Sequence, residues 1–252
     1  MLITPTQEAV RELARQFARQ DIAPHASSWD RDSRYPEATI RKMGEVGLMG
    51  MTAPPEWGGS GADSVSLALA VEEIAAADAS CALILSMANS LTILSLLAYG
   101  TREQQQQWLP GAAKGEYVAC FTISEPHAGS NAAKMKTRAR KAGDRYVING
   151  SKVFITTGSV ARLAFVFALT EPEAGARGIS CFLVPTDTPG YVVTRKEEKL
   201  GVRASDTCQI TFEDLEVPAS SMLGEPGQGY KIALHGLGAS RIGVAAQAVG
   251  VS

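Results

Sequence analysis

The sequence predicts an α+β multidomain fold, and three observations lead to it. Apolar residues recur at helical spacing up to about residue 115, the period falls to two from there to about residue 217, and helical spacing returns from Gly229. The expected organisation is an N-terminal all-helical domain over residues 1–115 and a middle antiparallel β-barrel or sandwich domain over 116–226. Residues 227–252 are expected to begin a C-terminal helical bundle.

Thr4 is placed to cap the first helix, with Pro5 at its first position and Gln7 completing a capping box; Val10, Leu13, Ala14, Phe17 and Ala18 then share one face. A second helix starts at Pro36, turns Ile40 and Met43 inward and ends near Gly47. Pro54 to Gly61 reads as a loop. Leu67, Val71 and Ile74 mark a third helix and Cys81 to Tyr99 a fourth. Thr101 with Gln104 caps a fifth, expected to stop at Pro110. Strands are expected at 117–123, 135–140, 163–169, 179–185, 191–194 and 207–212. Asn149-Gly150, between 145–148 and 152–155, is the strongest hairpin signal in the chain. The last helix carries Ile232, Leu234, Leu237, Ile242, Val244 and Val249 and reaches Ser252 without a stop signal, so the expectation is that the chain is a fragment or that another segment or subunit covers this helix.

Composition narrows the function classes. A formal charge of −2 argues against nucleic-acid binding, which needs a basic excess. The four cysteines show no C-x-x-C spacing and sit in apolar runs, as buried thiols of a reducing compartment do; with no basic-then-apolar leader visible, the expected location is cytoplasmic. Cys81 to Tyr99 is apolar over a membrane-like length, but Ser86, Asn89, Ser90, Thr92 and Ser95 interrupt it and no Lys/Arg cluster flanks it. A helix buried among helices is the better reading, and no membrane partner is expected.

The stretch that points to chemistry runs from Phe121 to Asn131. A β-prone run ends at Ser124-Glu125-Pro126, and the small residues Ala128, Gly129 and Ser130 follow, leaving bare amides and two hydroxyls able to cradle a phosphate or diphosphate. Composition alone fits an ordinary strand connection equally. Within it, Glu125 reads as a turn-stabilising carboxylate or a general base, and His127 as a solvated turn residue or a group titrating near neutrality. Phe154 and Thr156 flank Ile155 on one face, a ring beside a hydroxyl, which suits a flat heteroaromatic cofactor or a plain sheet core. Lys134, Lys136, Arg138, Arg140 and Lys141 read as a solvated strand face or a stripe that attracts an anionic ligand, and Arg241 as an anion ligand or a carboxylate's partner. Gly59-Ser60-Gly61 and Gly236-Leu237-Gly238 lack the third glycine and preceding strand of a nicotinamide site. The histidines His25, His127 and His235 lack metal-ligand spacing.

Taken together these residues resemble the acyl-CoA dehydrogenase family of flavoproteins. Ser124 to Ser130 resembles the family signature Thr/Ser-Glu-Pro-x-Ala-Gly-Ser-Asp, with His127 for the usual Gly and Asn131 for the usual Asp. Pro55 to Gly59, Asn149-Gly150, Phe154 to Thr156, Phe212 to Asp214 before Val217-Pro218, and Gly227 to Tyr230 match in order. The resemblance implies a helical domain, a middle β domain and a C-terminal four-helix domain, with FAD between the last two and a partner subunit. It implies FAD contacts from Phe121, Thr122, Ile123, Ser124, Gly129, Ser130, Phe154, Ile155 and Thr156, with Ser130 near the diphosphates of FAD and CoA. It also implies an acyl-CoA site that includes Ser130, Gly238 and Arg241.

The implied reaction removes the substrate α-proton with a glutamate while a β-hydride passes to the flavin, giving a trans-2-enoyl-CoA, and electrons leave to an electron-transfer flavoprotein. Residues 241–248 are similar to the short-chain, butyryl-CoA branch, and a homo-oligomer, tetramer or dimer, is implied. In short- and medium-chain members the glutamate lies late in the C-terminal domain. In isovaleryl and long-chain members it directly precedes the arginine, where this chain has Ser240, so no catalytic residue is expected within these 252 residues. The alternatives are a catalytically silent subunit completing a partner's flavin or acyl-CoA site, and an acyl-CoA oxidase-like flavoenzyme.

Overall fold

The structure, a computed structural model, describes residues 3–252. Helices α1 (Pro5–Phe17), α2 (Ala26–Arg31), α3 (Glu37–Glu45), α4 (Ser64–Ala75), α5 (Ala79–Met87), α6 (Leu94–Tyr99) and α7 (Arg102–Ala113) come first, and α8 (Gly229–Val251) comes last. Between them lie β1 (Ala119–Thr122), β2 (Arg138–Ala142), β3 (Arg145–Thr156), β4 (Leu163–Leu169), β5 (Ile179–Pro185), β6 (Tyr191–Lys196), β7 (Thr207–Pro218) and β8 (Met222–Leu223). Both expected capping boxes form: Thr4 with Gln7 opens α1 and Thr101 with Gln104 opens α7, each pair satisfying two otherwise orphan amides.

The helix α7 does not stop at Pro110 but runs on to Ala113. Proline there removes one backbone donor in the final turn, while Leu109, Ala112 and Ala113 are buried around it and hold the turn closed. The short helix α2, absent from the sequence reading, forms because Trp29 has a core pocket to fill.

The apolar segment Ala79–Tyr99 is long enough to cross a membrane, yet 67% of its most apolar window is buried inside the protein. Its polar side chains are used internally. A π-helical turn, Ala88–Ile93, turns Asn89 inward, where its amide nitrogen donates to the Leu48 and Leu85 carbonyls at 3.0 and 3.1 Å and its oxygen accepts from the Thr52 amide at 3.0 Å.

The strands form one eight-stranded sheet in the order β6-β7-β3-β2-β4-β5-β8, with β1 paired to β4. Most pairings are antiparallel, but β1–β4 and β2–β4 are parallel. All seven residues of β4 are buried. Leu163, Phe165, Phe167 and Leu169 face the helical layer of α7, α8 and the π-helical turn, whereas Ala164, Val166 and Ala168 face the interior of the curled sheet with Phe182, Ile210 and Phe212. A strand covered on both faces reads as a continuous apolar run, which is why this segment shows no alternation.

The expected Asn149-Gly150 hairpin does not form. The turn is Gly143-Asp144, joining β2 to β3, and β3 runs through Asn149 and Gly150 for 12 residues with a bulge beside them. Gly150 is there because Thr137 crosses it: a Cβ at 150 would lie 2.7 Å from the Thr137 Cα, and φ is +153°. Asn149 instead holds the strand opposite, exchanging hydrogen bonds with the Asp214 amide at 2.9 Å and carboxylate at 3.0 Å. The expected strand at 135–140 likewise begins later, at Arg138, because Met135 to Thr137 bonds to the loop before it.

Candidate functional site

The segment after β1 folds into a tight turn in which the Glu125 and Ala128 amides and carbonyls bond each other, at 3.1 and 3.0 Å. This reciprocal pair ejects Pro126 and His127 at the tip and leaves Gly129 and Ser130 exposed beyond it. Among the described residues nothing lies within 4 Å of a Cβ built on Gly129, so a ligand has open access to that backbone. Ser124 is half-buried, and its carbonyl accepts the Val153 amide of β3 at 3.0 Å. That one bond brings the turn and the Phe154–Thr156 strip side by side.

On β3 a register shift between Lys152 and Ile155 inserts an extra residue. Phe154 takes it up at φ +56° and is turned outward, 68% exposed, while Ile155 enters the sheet interior and Thr156 stays half-buried. A large ring held in the left-handed region and presented to solvent is an expensive arrangement for an isolated sheet. The following Thr157 is also at positive φ, 59°, but is buried, with its hydroxyl donating to the Ala119 carbonyl at 3.0 Å.

Other sequence-predicted residues face inward. Phe121 packs against Phe165 and Phe167 at centroid distances of 5.0 and 4.9 Å. The Thr122 hydroxyl donates to the Phe165 carbonyl at 3.1 Å, and Ile123 is half-buried. The side chains of Phe121, Thr122 and Ile155 are therefore buried, Phe121 on the helical side of the sheet and Ile155 in its interior, and none of them forms exposed surface. The helix α8 crosses Phe121 at Gly236, where an added Cβ would lie 3.5 Å from the ring. Beyond the crossing, Gly238 and Arg241 are both exposed, and Arg241 makes no ion pair among the described residues. Ser240, the residue before it, donates to the Leu237 carbonyl at 3.0 Å within the helix.

Glu125 is the turn-stabilising carboxylate, not a free base. It is buried, and its oxygens accept the Lys136 amide at 2.6 Å, the Thr137 amide at 2.9 Å and the Lys152 ammonium at 2.9 Å. Burial pushes its carboxyl up, but the Lys152 charge and the two amides outweigh that and leave it below the ordinary range. Burial in turn pulls the Lys152 ammonium down to about 8, with Glu125 opposing the fall. The His127 side chain is 41% exposed, with its Nε2 3.4 Å from the second Glu125 oxygen. Lys152 is the residue that sequence reasoning missed; its signal is a lysine directly before the apolar run Val153 to Ile155, at a position where alternation from Tyr146 and Ile148 points inward. The basic run Lys134, Lys136, Arg138, Arg140 and Lys141 is solvated, with Met135, Thr137 and Ala139 buried between its members.

Residues 4–116 match the acyl-CoA dehydrogenase N-terminal domain and residues 120–215 the acyl-CoA dehydrogenase middle domain. The chain is 44% identical over 98% of its length to the mitochondrial short-chain specific acyl-CoA dehydrogenase of Bos taurus, covering 60% of that protein. It superimposes with a TM-score of 0.96 and 38% identity on butyryl-CoA dehydrogenase from Megasphaera elsdenii, covering 99% of this chain and 66% of that one. A chain in a structure described as the electron transferring flavoprotein of Acidaminococcus fermentans matches with a TM-score of 0.97 and 40% identity, over 99% of this chain and 66% of that one. The chain thus spans about two-thirds or less of the length of the relatives it matches. Two matched domains in the same order, on a fold that superimposes over nearly its whole length, make this chain a member of the acyl-CoA dehydrogenase family.

Proposed function

We propose that this chain is the helical and β portion of a cytoplasmic, FAD-dependent acyl-CoA dehydrogenase that converts a short-chain acyl-CoA to its trans-2-enoyl-CoA, hands electrons to an electron-transfer flavoprotein and works as a homo-oligomer. The observation that carries this reading is the Phe154 ring, 68% exposed at positive φ and tied through Val153 to the open Ser124–Ser130 turn. An aromatic face beside unobstructed backbone amides fits a cofactor with a flat ring system and a diphosphate. The similarity to short-chain and butyryl-CoA enzymes supports the substrate class. Four free, buried cysteines support a reducing compartment.

When bound, FAD supplies the acceptor for the substrate's β-hydride. This chain's residues bind and orient: Gly129 and Ser130 present the diphosphate surface, Ser124, Phe154 and Thr156 the ring surface, and Arg241 an unpaired cation for the CoA phosphates. Proton abstraction falls to a group outside these residues, because α8 carries no Asp or Glu and the Ser240 hydroxyl is spent on its own helix.

The test is the visible spectrum and fluorescence of FAD mixed with the chain, before and after anaerobic butyryl-CoA. The expected result is quenched, bound flavin that stays oxidised, with affinity weakened in Thr156→Ala. Absence of flavin binding, or unchanged affinity in that variant, overturns the assignment, and bleaching by butyryl-CoA overturns the statement about the base.

A further inference from the structure

We propose that the buried Lys152–Glu125 ion pair is a positioning device that locks the diphosphate turn to the flavin-facing bulge of β3, making the two halves of the site one rigid unit. The proposal rests on the FAD reading above and names residues that would act without touching the cofactor.

The geometry is specific. The side chains of Lys152 and Glu125 are 0% and 2% exposed, with Nζ and Oε1 2.9 Å apart. Lys152 Nζ also reaches the Ile123 carbonyl at 3.4 Å, so a single ammonium on β3 holds both the residue before Ser124 and the residue after it. The carboxylate it neutralises accepts the consecutive amides of Lys136 and Thr137, which anchors the segment that re-enters the sheet after the turn. Three stretches far apart in sequence, 123–125, 135–137 and 152, therefore meet at one charge pair. Two residues beyond Lys152 the chain presents Phe154, and the intervening Val153 amide bonds Ser124.

Although it would leave the Lys136 and Thr137 amides without their acceptor, an apolar pair of the same volume would fill this space and avoid the desolvation that cancels much of the attraction between two buried charges. It would not, however, specify orientation: apolar contacts allow sliding, whereas a carboxylate bonded to two amides and an ammonium fixes direction as well as distance. The bulge makes that fixing necessary. A positive-φ aromatic residue has no ladder partner of its own, and its position is set by Lys152 and Val153 on one side and Ile155 on the other.

The experiment compares the parent chain with Lys152→Met, Glu125→Gln and the double variant, reading amide hydrogen exchange without cofactor and FAD affinity by fluorescence quenching. The expected result in Lys152→Met is exchange at the Glu125, Ala128, Lys136, Thr137 and Val153 amides accelerated at least about tenfold, with β4 amides unchanged and FAD affinity reduced about tenfold or more. Exchange that stays at the parental rate, or rises equally in β4, overturns the proposal, because a merely structural pair destabilises the sheet throughout. If a single variant fails to fold, the double variant, which leaves no unpaired charge, carries the same comparison. A parent chain that binds no FAD overturns the cofactor reading and the purpose assigned to the pair with it; a parent that binds FAD while the five amides stay protected in the variants overturns the pair's role alone.

Discussion

Gly150→Ala tests how the sheet accommodates the segment that feeds the site. A Cβ at this position would lie 2.7 Å from both the Cα and the Cβ of Thr137, against the 3.5 Å or more of ordinary carbon contacts. Thr137 has little room to retreat: its amide is held by Glu125 at 2.9 Å and its carbonyl by the Leu169 amide at 2.8 Å. Overpacking against fixed backbone costs about 1–3 kcal/mol, and alanine at φ +153° adds about 1–3 kcal/mol of strain. The sum, about 2–6 kcal/mol, corresponds to a fall in Tm of about 5–20 °C for a chain of this size. Thermal unfolding followed by circular dichroism measures it, with Gly129→Ala as control, because Gly129 has open space and should change stability by less than about 0.5 kcal/mol. A Gly150→Ala variant melting within about 2 °C of the parent would show that Thr137 does not cross β3 in tight contact.

Other outcomes follow from the same geometry. Phe154→Gly removes an exposed ring from a left-handed backbone position, so relief of about 1–2 kcal/mol of strain against about 0.5–1 kcal/mol of added chain entropy should leave stability unchanged or slightly raised, while FAD affinity falls several-fold; a marked drop in Tm, or unaltered FAD affinity, contradicts this. Lys152, lowered to about 8 when folded against an ordinary 10.5, binds fewer protons folded than unfolded between those values. Its contribution is therefore flat below about pH 8 and turns toward greater stability as pH rises to 10.5. The stability of the parent relative to Lys152→Met should accordingly increase from pH 7 to pH 10, and a constant difference refutes the depressed ammonium.

What the chain's local chemistry determined is considerable. The two capping boxes, the order of helices and strands, the small-residue turn after β1 and the outward basic stripe of residues 134–141 all depend on neighbours within a few positions, so periodicity and turn chemistry expose them. The resemblance to a flavoprotein family drew on the same local strings. Three decisions lay beyond that reach. Asn149-Gly150 has the composition of a hairpin turn, but Thr137 passing over it and Asp214 bonding beside it keep the strand extended. Pro110 is a helix breaker locally and is overridden by the core behind α7. Lys152 stands at an inward position of its strand, but nothing local names its partner, Glu125, which lies 27 positions earlier and meets it inside the protein. Whether a charge is solvated, a ring is exposed or a glycine bends depends on which distant backbone arrives next to it, and that proximity belongs to the tertiary structure alone.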